Sequence, residues 1–248
     1  LAGQIAIMAS TNATIEHEVT LSQVQNSSAR AVAWATRRGY DGRTTTDLQK
    51  IAKIATQIAI DPTEFEGMEH LDRGAFGAIM KATYKGYPVA VKSIIQNDQD
   101  GKNGYSQDVR NVLLELAIVC RLSHPHIVGF WGMSTYFPES EAEDNQFHLG
   151  FVFELCSGGS LFSTLHEQGT QFSFASKLRV LREVATGMSY LHNENIVHRD
   201  LSSRNILLTD NFTVKIADFG CARKLTGESY DSSTISGSPP YMPPEQLC

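Results

Sequence analysis

The sequence predicts an α+β fold in two lobes, a small β-rich one followed by a helical one. Three observations point there. Between Leu71 and Lys92 the chain runs in short β-forming stretches punctuated by glycine, as in Leu71-Asp-Arg-Gly-Ala-Phe-Gly-Ala-Ile79 and Val89-Ala-Val-Lys92. Gly150 to Leu155 is a nearly continuous apolar run of strand length, which reads as a buried strand. Farther on, Leu178, Leu181, Val184, Ala185, Met188 and Leu191 recur at helical spacing and mark a long amphipathic helix.

The elements follow in order. Residues 1–63 form a flanking segment rich in Ala, Thr, Ser and Gln. Its one clear element opens on the capping-box pattern Thr46-Asp-Leu-Gln49, runs through Leu48, Ile51, Ala52, Ala55, Ile58 and Ala59, and is stopped by Pro62. That stripe reads as a flanking helix covering part of the next domain, with a partner helix as the alternative. The domain proper spans 64–248, divided into a first lobe at 64–153, a connecting segment at 154–159 and a second lobe at 160–248. Within it come a strand, a glycine turn and a second strand at 71–79, then a strand at 89–92. A polar loop from Gln96 to Gln107 precedes a helix from Val109 to Leu122. After the long helix, Asn205–Leu208 and Thr213–Ile216 form a hairpin about Asp210-Asn211.

Composition narrows the function classes. With 248 residues, 42% hydrophobic and 19% charged, the chain has ordinary globular make-up, which argues against disorder. Its 21 Lys plus Arg against 27 Asp plus Glu leave a net charge of −6, with no basic excess for a nucleic acid. No apolar run approaches the roughly eighteen residues of a membrane span. Cys120, Cys156, Cys221 and Cys248 form no C-x-x-C pair, so free thiols in a reducing, cytoplasmic setting are expected. The sequons at Asn12, Asn26 and Asn211 carry no weight in such a setting. Because the chain opens on Leu1, it is expected to be a piece of a longer protein, the cytoplasmic part of a tethered one included.

Several residues form a chemical constellation. Gly74 and Gly77 let backbone amides approach an anion closely, although alone such a turn is more often a plain hairpin. Strand side chains alternate, so Ala90 and Lys92 share one face while Val89 and Val91 share the other. Ala90 leaves room for a flat ring, and Lys92 can reach phosphate oxygens; the bland reading of Lys92 is a solvated strand end. Glu115 falls in the apolar stripe of Val112, Val119 and Leu122, where a carboxylate is costly unless paired, and Lys92 is its candidate partner. His198-Arg-Asp-Leu-Ser-Ser-Arg-Asn205 and Asp218-Phe-Gly220 supply hard oxygen ligands for Mg²⁺ and leave one carboxylate for a substrate hydroxyl. A chance match to this spacing is on the order of 10⁻⁹ per start position.

In sequence order, the glycine loop, Val-Ala-Val-Lys92, Glu115, His198-Arg-Asp200, Asn205, Asp218-Phe-Gly220 and Pro243-Pro-Glu245 resemble the eukaryotic protein kinase family, over about Glu64 to Cys248. His124-Pro-His-Ile-Val128 resembles the family's turn after the Glu-bearing helix. The resemblance implies a bilobal protein-kinase fold with the C-lobe truncated after Pro-Pro-Glu, a protein substrate, and ATP with Mg²⁺ as cofactors. By the same resemblance Lys92 would hold the α and β phosphates, oriented by Glu115. Asn205 and Asp218 would hold Mg²⁺, and Asp200 would accept the acceptor's proton. Leu71, Ile79, Ala90 and Leu207 would enclose adenine, with Gly74 and Gly77 near the phosphates. Glu154 and Cys156 would offer main-chain hydrogen bonds, and Phe153 would guard the back of the pocket.

Departures from the pattern matter. Asp72 stands where the family has its first loop glycine, so a weakened ATP affinity is expected. Cys221, after Asp-Phe-Gly, reads as an inert small residue. The chain stops soon after Glu245, so the isolated fragment is expected to be unstable and inactive. Cues to the acceptor conflict: Arg204 and Met242-Pro-Pro-Glu245 resemble tyrosine kinases, whereas Gly237-Ser-Pro-Pro-Tyr241 resembles serine/threonine kinases, where Ser238 would touch Asp200. Such a mixture resembles the tyrosine-kinase-like group, whose members mostly phosphorylate Ser or Thr. Arg199 beside Asp200 implies control by phosphorylation of the 224–238 loop, with Ser229, Tyr230, Ser232, Ser233, Thr234 and Ser236 as candidates for an upstream kinase. The rival reading is a pseudokinase scaffold, supported by Asp72 and the truncation; a small-molecule kinase is disfavoured by the long loop before Pro243-Pro-Glu245.

Overall fold

The computed structural model describes residues 53–54, 57–74, 77–93, 102–136, 148–225 and 237–244. The capping box at Thr46, the loop glycine-turn residues 75–76 and the phosphorylation candidates of 226–236 lie outside them. The described residues divide into two compact units. One holds those up to Leu113 together with Phe130–Glu154, the other Leu114–Gly129 together with those from Leu155 onward.

The first unit is a six-stranded sheet. Its strands are β1 (Ala59–Ile60), β2 (Phe65–Gly74), β3 (Gly77–Tyr84), β4 (Tyr87–Ser93), β5 (Phe130–Tyr136) and β6 (His148–Glu154), in the order β1-β5-β6-β4-β3-β2. All pairs are antiparallel except β1 with β5. One face of the sheet carries Ala82, Tyr84, Val89, Val91 and Val152, packed with Ile60 into a core that Phe65, Met80 and Trp131 flank. Alternation puts Ile79, Ala90, Lys92, Phe151 and Phe153 on the opposite face, because Ile79 pairs with Lys92, Ala90 with Phe153 and Lys92 with Phe151. Phe130, Phe151 and Phe153 cluster there with ring centroids 5.5–6.3 Å apart.

Two sequence expectations shift here, one in this unit and one in a helix that runs from this unit into the other. The flanking helix was predicted through Ala59, but Ala59–Ile60 is a strand pairing with Met133–Ser134. The pairing is possible because Gly132 has no side chain: a Cβ there would sit 2.5 Å from the Ile58 carbonyl oxygen. Asp61 then turns the chain, its carboxylate accepting from the Thr63 amide at 2.8 Å and the Thr63 hydroxyl at 2.6 Å. The second shift concerns helix α1, which spans Lys102–Val119 and not Val109–Leu122. Its first turns take up polar residues that composition alone assigned to the loop.

The second unit joins helices α2 (Leu161–His166) and α3 (Phe174–Asn193) to short strands β7 (Gly159–Ser160), β8 (Ile196–Val197), β9 (Ile206–Leu208), β10 (Val214–Ile216) and β11 (Arg223–Lys224). Ser160 and Ser173 cap the two helices, each side chain accepting from the amide three residues on at 3.1 Å. Strands β10, β9 and β7 form one small sheet and β11 with β8 another. Val180 of α3 packs with Ile206, Leu208 and Val214, and Val184 joins them. The helix therefore buries Val180, Gly187 and Leu191, while Leu178 and Leu181, expected on the core stripe, are exposed together with Phe174. A turn of 100° per residue separates the two sets, and both are apolar, so spacing alone does not choose between them. Among the described residues no helix is long and apolar enough to cross a membrane.

Candidate active site

The second unit assembles the catalytic-loop motif around a buried imidazole. His198 is 1% exposed, its Nε2 lies 3.0 Å from the Ala217 carbonyl oxygen, and its ring packs against Phe219 at 5.2 Å. The Asp200 amide donates to His198 Nδ1 at 3.3 Å. A carbonyl can only accept and an amide can only donate, so Nε2 carries the proton and Nδ1 is bare. Burial lowers the His198 pKa, opposed by the bond to Ala217 and by the Asp218 and Asp200 charges. The neutral ring thus links the segment before Asp218 to the backbone of Asp200. Arg199 and Asp218 both take positive φ, +68° and +62°, a conformation costly for non-glycine residues.

Asp200 is held from two sides. The Asn205 side-chain amide donates to its main-chain oxygen at 2.8 Å and to its Oδ2 at 2.9 Å, and the Ser238 amide donates to its Oδ1 at 2.7 Å. The β9–β10 hairpin brings the metal candidates together. Ile206 pairs with Ile216, and the Ala217 amide donates to the Asn205 carbonyl at 2.9 Å, so Asn205 and Asp218 stand at one end of the hairpin. Because the Asn205 NH₂ is committed to Asp200, its Oδ1 is the atom oriented for a cation. An amide oxygen and a carboxylate suit Mg²⁺, which prefers hard oxygen ligands and keeps water or phosphate in its remaining positions.

Other predicted residues fall as follows. On β4, Ala90 and Lys92 are half-buried on the face opposite Val89 and Val91, as alternation predicts. Gly74 pairs with Gly77 at the end of the β2–β3 hairpin, and Asp72 pairs with Ile79. Leu71 falls at a register shift between His70 and Asp72 and is 51% exposed. Glu115 is 5% exposed beside the buried Val112, Leu116 and Val119 of α1. Glu154 ends β6, and Cys156 is buried at a turn in which its carbonyl accepts from the Gly159 amide at 3.1 Å. Leu207 is the outward residue of β9, between the buried Ile206 and Leu208.

Arg204 is not among the groups bonded to Asp200. Its guanidinium lies 3.7 Å from the centroid of the Phe162 ring on α2. Sequence reasoning placed Ser238 at Asp200, and the observed bond comes from its main-chain amide. That reasoning missed a second tie between the same segments, in which the Ser203 and Tyr241 hydroxyls meet at 2.7 Å. Two exposed-type polar residues so far apart in sequence give no pattern that would have flagged it. Ser202, between these partners, is 3% exposed, and its hydroxyl has no hydrogen-bond partner among the described residues.

Comparisons with known proteins agree with this geometry. A family model described as protein tyrosine and serine/threonine kinase matches residues 65–248. Serine/threonine-protein kinase CTR1 of Arabidopsis thaliana is 38% identical over 183 residues, covering 72% of this chain and 21% of that protein. Serine/threonine-protein kinase TNNI3K of Homo sapiens is 36% identical over 197 residues, covering 78% and 22%. The chain thus spans about a fifth of the length of these curated relatives. The matched region begins at Phe65, after β1 and the Asp61 turn. A family model over most of the chain, together with relatives of this identity and the motif residues assembled as described, leads to one conclusion: the chain belongs to the protein tyrosine and serine/threonine kinase family, in its tyrosine-kinase-like group.

Proposed function

We propose that this chain is the catalytic domain of an ATP-dependent protein kinase that phosphorylates serine or threonine. The observation that carries the reading is Asp200, whose carboxylate is held by Asn205 and by the Ser238 amide beside the hairpin end bearing Asp218. In this reading Asp200 takes the proton of the acceptor hydroxyl. The acceptor oxygen bonds to the γ-phosphorus as the bond to the β–γ bridging oxygen breaks, and ADP leaves. Mg²⁺, held by Asn205 and Asp218, would neutralise phosphate charge. Lys92, oriented by Glu115, would hold the α and β phosphates. Leu71, Ile79, Ala90 and Leu207 would enclose the adenine beside main-chain groups of Glu154 and Cys156, with Gly74 and Gly77 near the phosphates. Such catalysis is positioning and charge neutralisation more than covalent chemistry.

A Ser/Thr acceptor is favoured over Tyr by three facts. Arg204, the cue that resembles tyrosine kinases, is engaged with Phe162; Ser238 sits at Asp200; and the relatives compared are named serine/threonine-protein kinases. We further place the protein in the cytoplasm, divide it into lobes at 64–153 and 160–248, and assign control to an upstream kinase acting on the 224–238 loop, where phosphate would pair with Arg199. The test is phosphoamino-acid analysis of the full-length protein after incubation with Mg-ATP, beside its Asp200→Asn variant. Phosphoserine or phosphothreonine absent from the variant, and not formed by the wild type when EDTA is present during the incubation, is expected. Phosphotyrosine would overturn the acceptor assignment. A folded, ATP-binding protein that transfers nothing would leave the scaffold reading in its place.

A further inference from the structure

Asp72 departs from the glycine-loop pattern, and the proposed function leaves it without a role. Its place on the six-stranded sheet supplies one. Asp72 on β2 pairs with Ile79 on β3, and Ile79 pairs with Lys92 on β4. Directly paired residues of antiparallel strands project to the same face. Asp72, Ile79 and Lys92 therefore form a row across three strands, on the face that also carries Ala90. Simple alternation from His70, which pairs with Met80 beside the apolar core, would put Asp72 on the other face. The register shift at Leu71 turns it over. Asp72 is exposed there.

We propose that Asp72 is a nucleotide-recognition residue whose carboxylate accepts hydrogen bonds from the two vicinal hydroxyls of the ATP ribose. Adjacent strands lie about 4.8 Å apart, so the β2 and β4 backbones are separated by roughly 10 Å along the row. The carboxylate is thus offset from Lys92 toward the ribose side of a nucleotide whose phosphates Lys92 holds. Vicinal hydroxyls are a pair of donors and a carboxylate is a pair of acceptors, so one oxygen serves each. Repulsion of the phosphates by Asp72 is the weaker effect. Two unit charges about 10 Å apart in water change an affinity roughly twofold, and salt screens that further. A hydrogen bond to an ionised carboxylate contributes about tenfold or more. The penalty on ATP affinity expected from the sequence gives way to selectivity for a sugar that carries the diol.

The inference rests on the ATP-dependent kinase reading, and the experiment keeps the two apart. Dissociation constants are measured by calorimetry for Mg-ATP and for Mg-dideoxy-ATP, whose sugar lacks both hydroxyls. The proteins are the full-length wild type and its Asp72→Gly and Asp72→Ala variants. Wild type is expected to bind ATP at least about tenfold more tightly than the dideoxy form. Each variant should bring the two nucleotides within about twofold of each other. It should do so by losing affinity for ATP, while the dideoxy form stays within about twofold of its wild-type affinity. Alanine keeps the Cβ and the strand, so a loss confined to the glycine variant is a backbone effect and overturns the inference. So does a wild type indifferent to the diol. A preference that survives in both variants overturns it too, whether both affinities rise, as repulsion requires, or both fall, as disruption of the sheet requires. A wild type that binds neither nucleotide refutes the kinase reading beneath the inference.

Discussion

Replacing His198 with phenylalanine separates the polar role of the imidazole from its packing. Phe keeps a ring against Phe219 but can neither donate to the Ala217 carbonyl at 3.0 Å nor accept from the Asp200 amide at 3.3 Å. The site is 1% exposed, so water does not replace either partner. A buried polar group left unpaired costs about 1–3 kcal/mol, and two give roughly 2–6 kcal/mol. Taking about 3 kcal/mol and about 2–4 °C per kcal/mol for a domain of this size, the melting midpoint should drop roughly 6–12 °C. Acidification supplies an internal control. Burial holds the folded-state pKa of His198 below its ordinary value, so the unfolded chain binds the proton first. The stability that the neutral ring contributes is therefore complete above its ordinary pKa of about 6.5 and is lost as pH falls below it. The Phe variant has no such proton to bind, so the gap between the two proteins should narrow from pH 7 to pH 5. Thermal unfolding across that range checks both statements. A midpoint within about 2 °C of wild type at pH 7, or a gap that widens in acid, would refute the assignment of a neutral, doubly bonded imidazole.

Ser202→Ala removes a buried hydroxyl that has no partner among the described residues, so it should leave stability unchanged or raise it by up to about 1 kcal/mol in denaturant unfolding. Gly132→Ala forces a methyl against the Ile58 carbonyl and Ile60, costing about 1–3 kcal/mol and prising β1 from β5. Faster amide exchange at Ile60 should report that release, and unaltered exchange would count against it. The Ser203–Tyr241 pair predicts a non-additive cycle: Ser203→Ala and Tyr241→Phe together should cost less than the sum of the singles, by about 0.5 kcal/mol or more in coupling.

Much of the site was legible because its chemistry is written in spacing. Asp200 and Asn205 are near neighbours in one loop, and the hairpin strands that carry Asn205 to Asp218 announce themselves by composition. The two faces of β4 were likewise readable from alternation, with Val89 and Val91 buried and Lys92 opposite. What stayed hidden depends on competition between equally apolar or equally polar choices. Leu178 and Leu181, three apart, fit helical spacing as well as Val180 and Val184, four apart, and only the presence of Ile206 and Val214 decides which pair is buried. Arg204 could face Asp200 or an aromatic ring, and Phe162 lies too far back in the sequence to enter such a choice. The strand at Phe130–Tyr136 carries Gly132 in its middle, which weakens a strand signal and makes sense only once the Ile58 backbone is seen against it.

Strand β1 has a practical corollary for how the domain is delimited. The family match opens at Phe65, yet Ala59–Ile60 occupies the outer side of β5 in parallel pairing. A protein begun at Phe65 would present β5, with Trp131 and Met133, as a bare sheet margin with unpaired amides and carbonyls, the kind of surface on which chains add to one another. The six residues from Ala59 to Glu64, before the matched region, thus act as the sheet's selvedge, and a version that retains them should stay monodisperse where a shorter one self-associates.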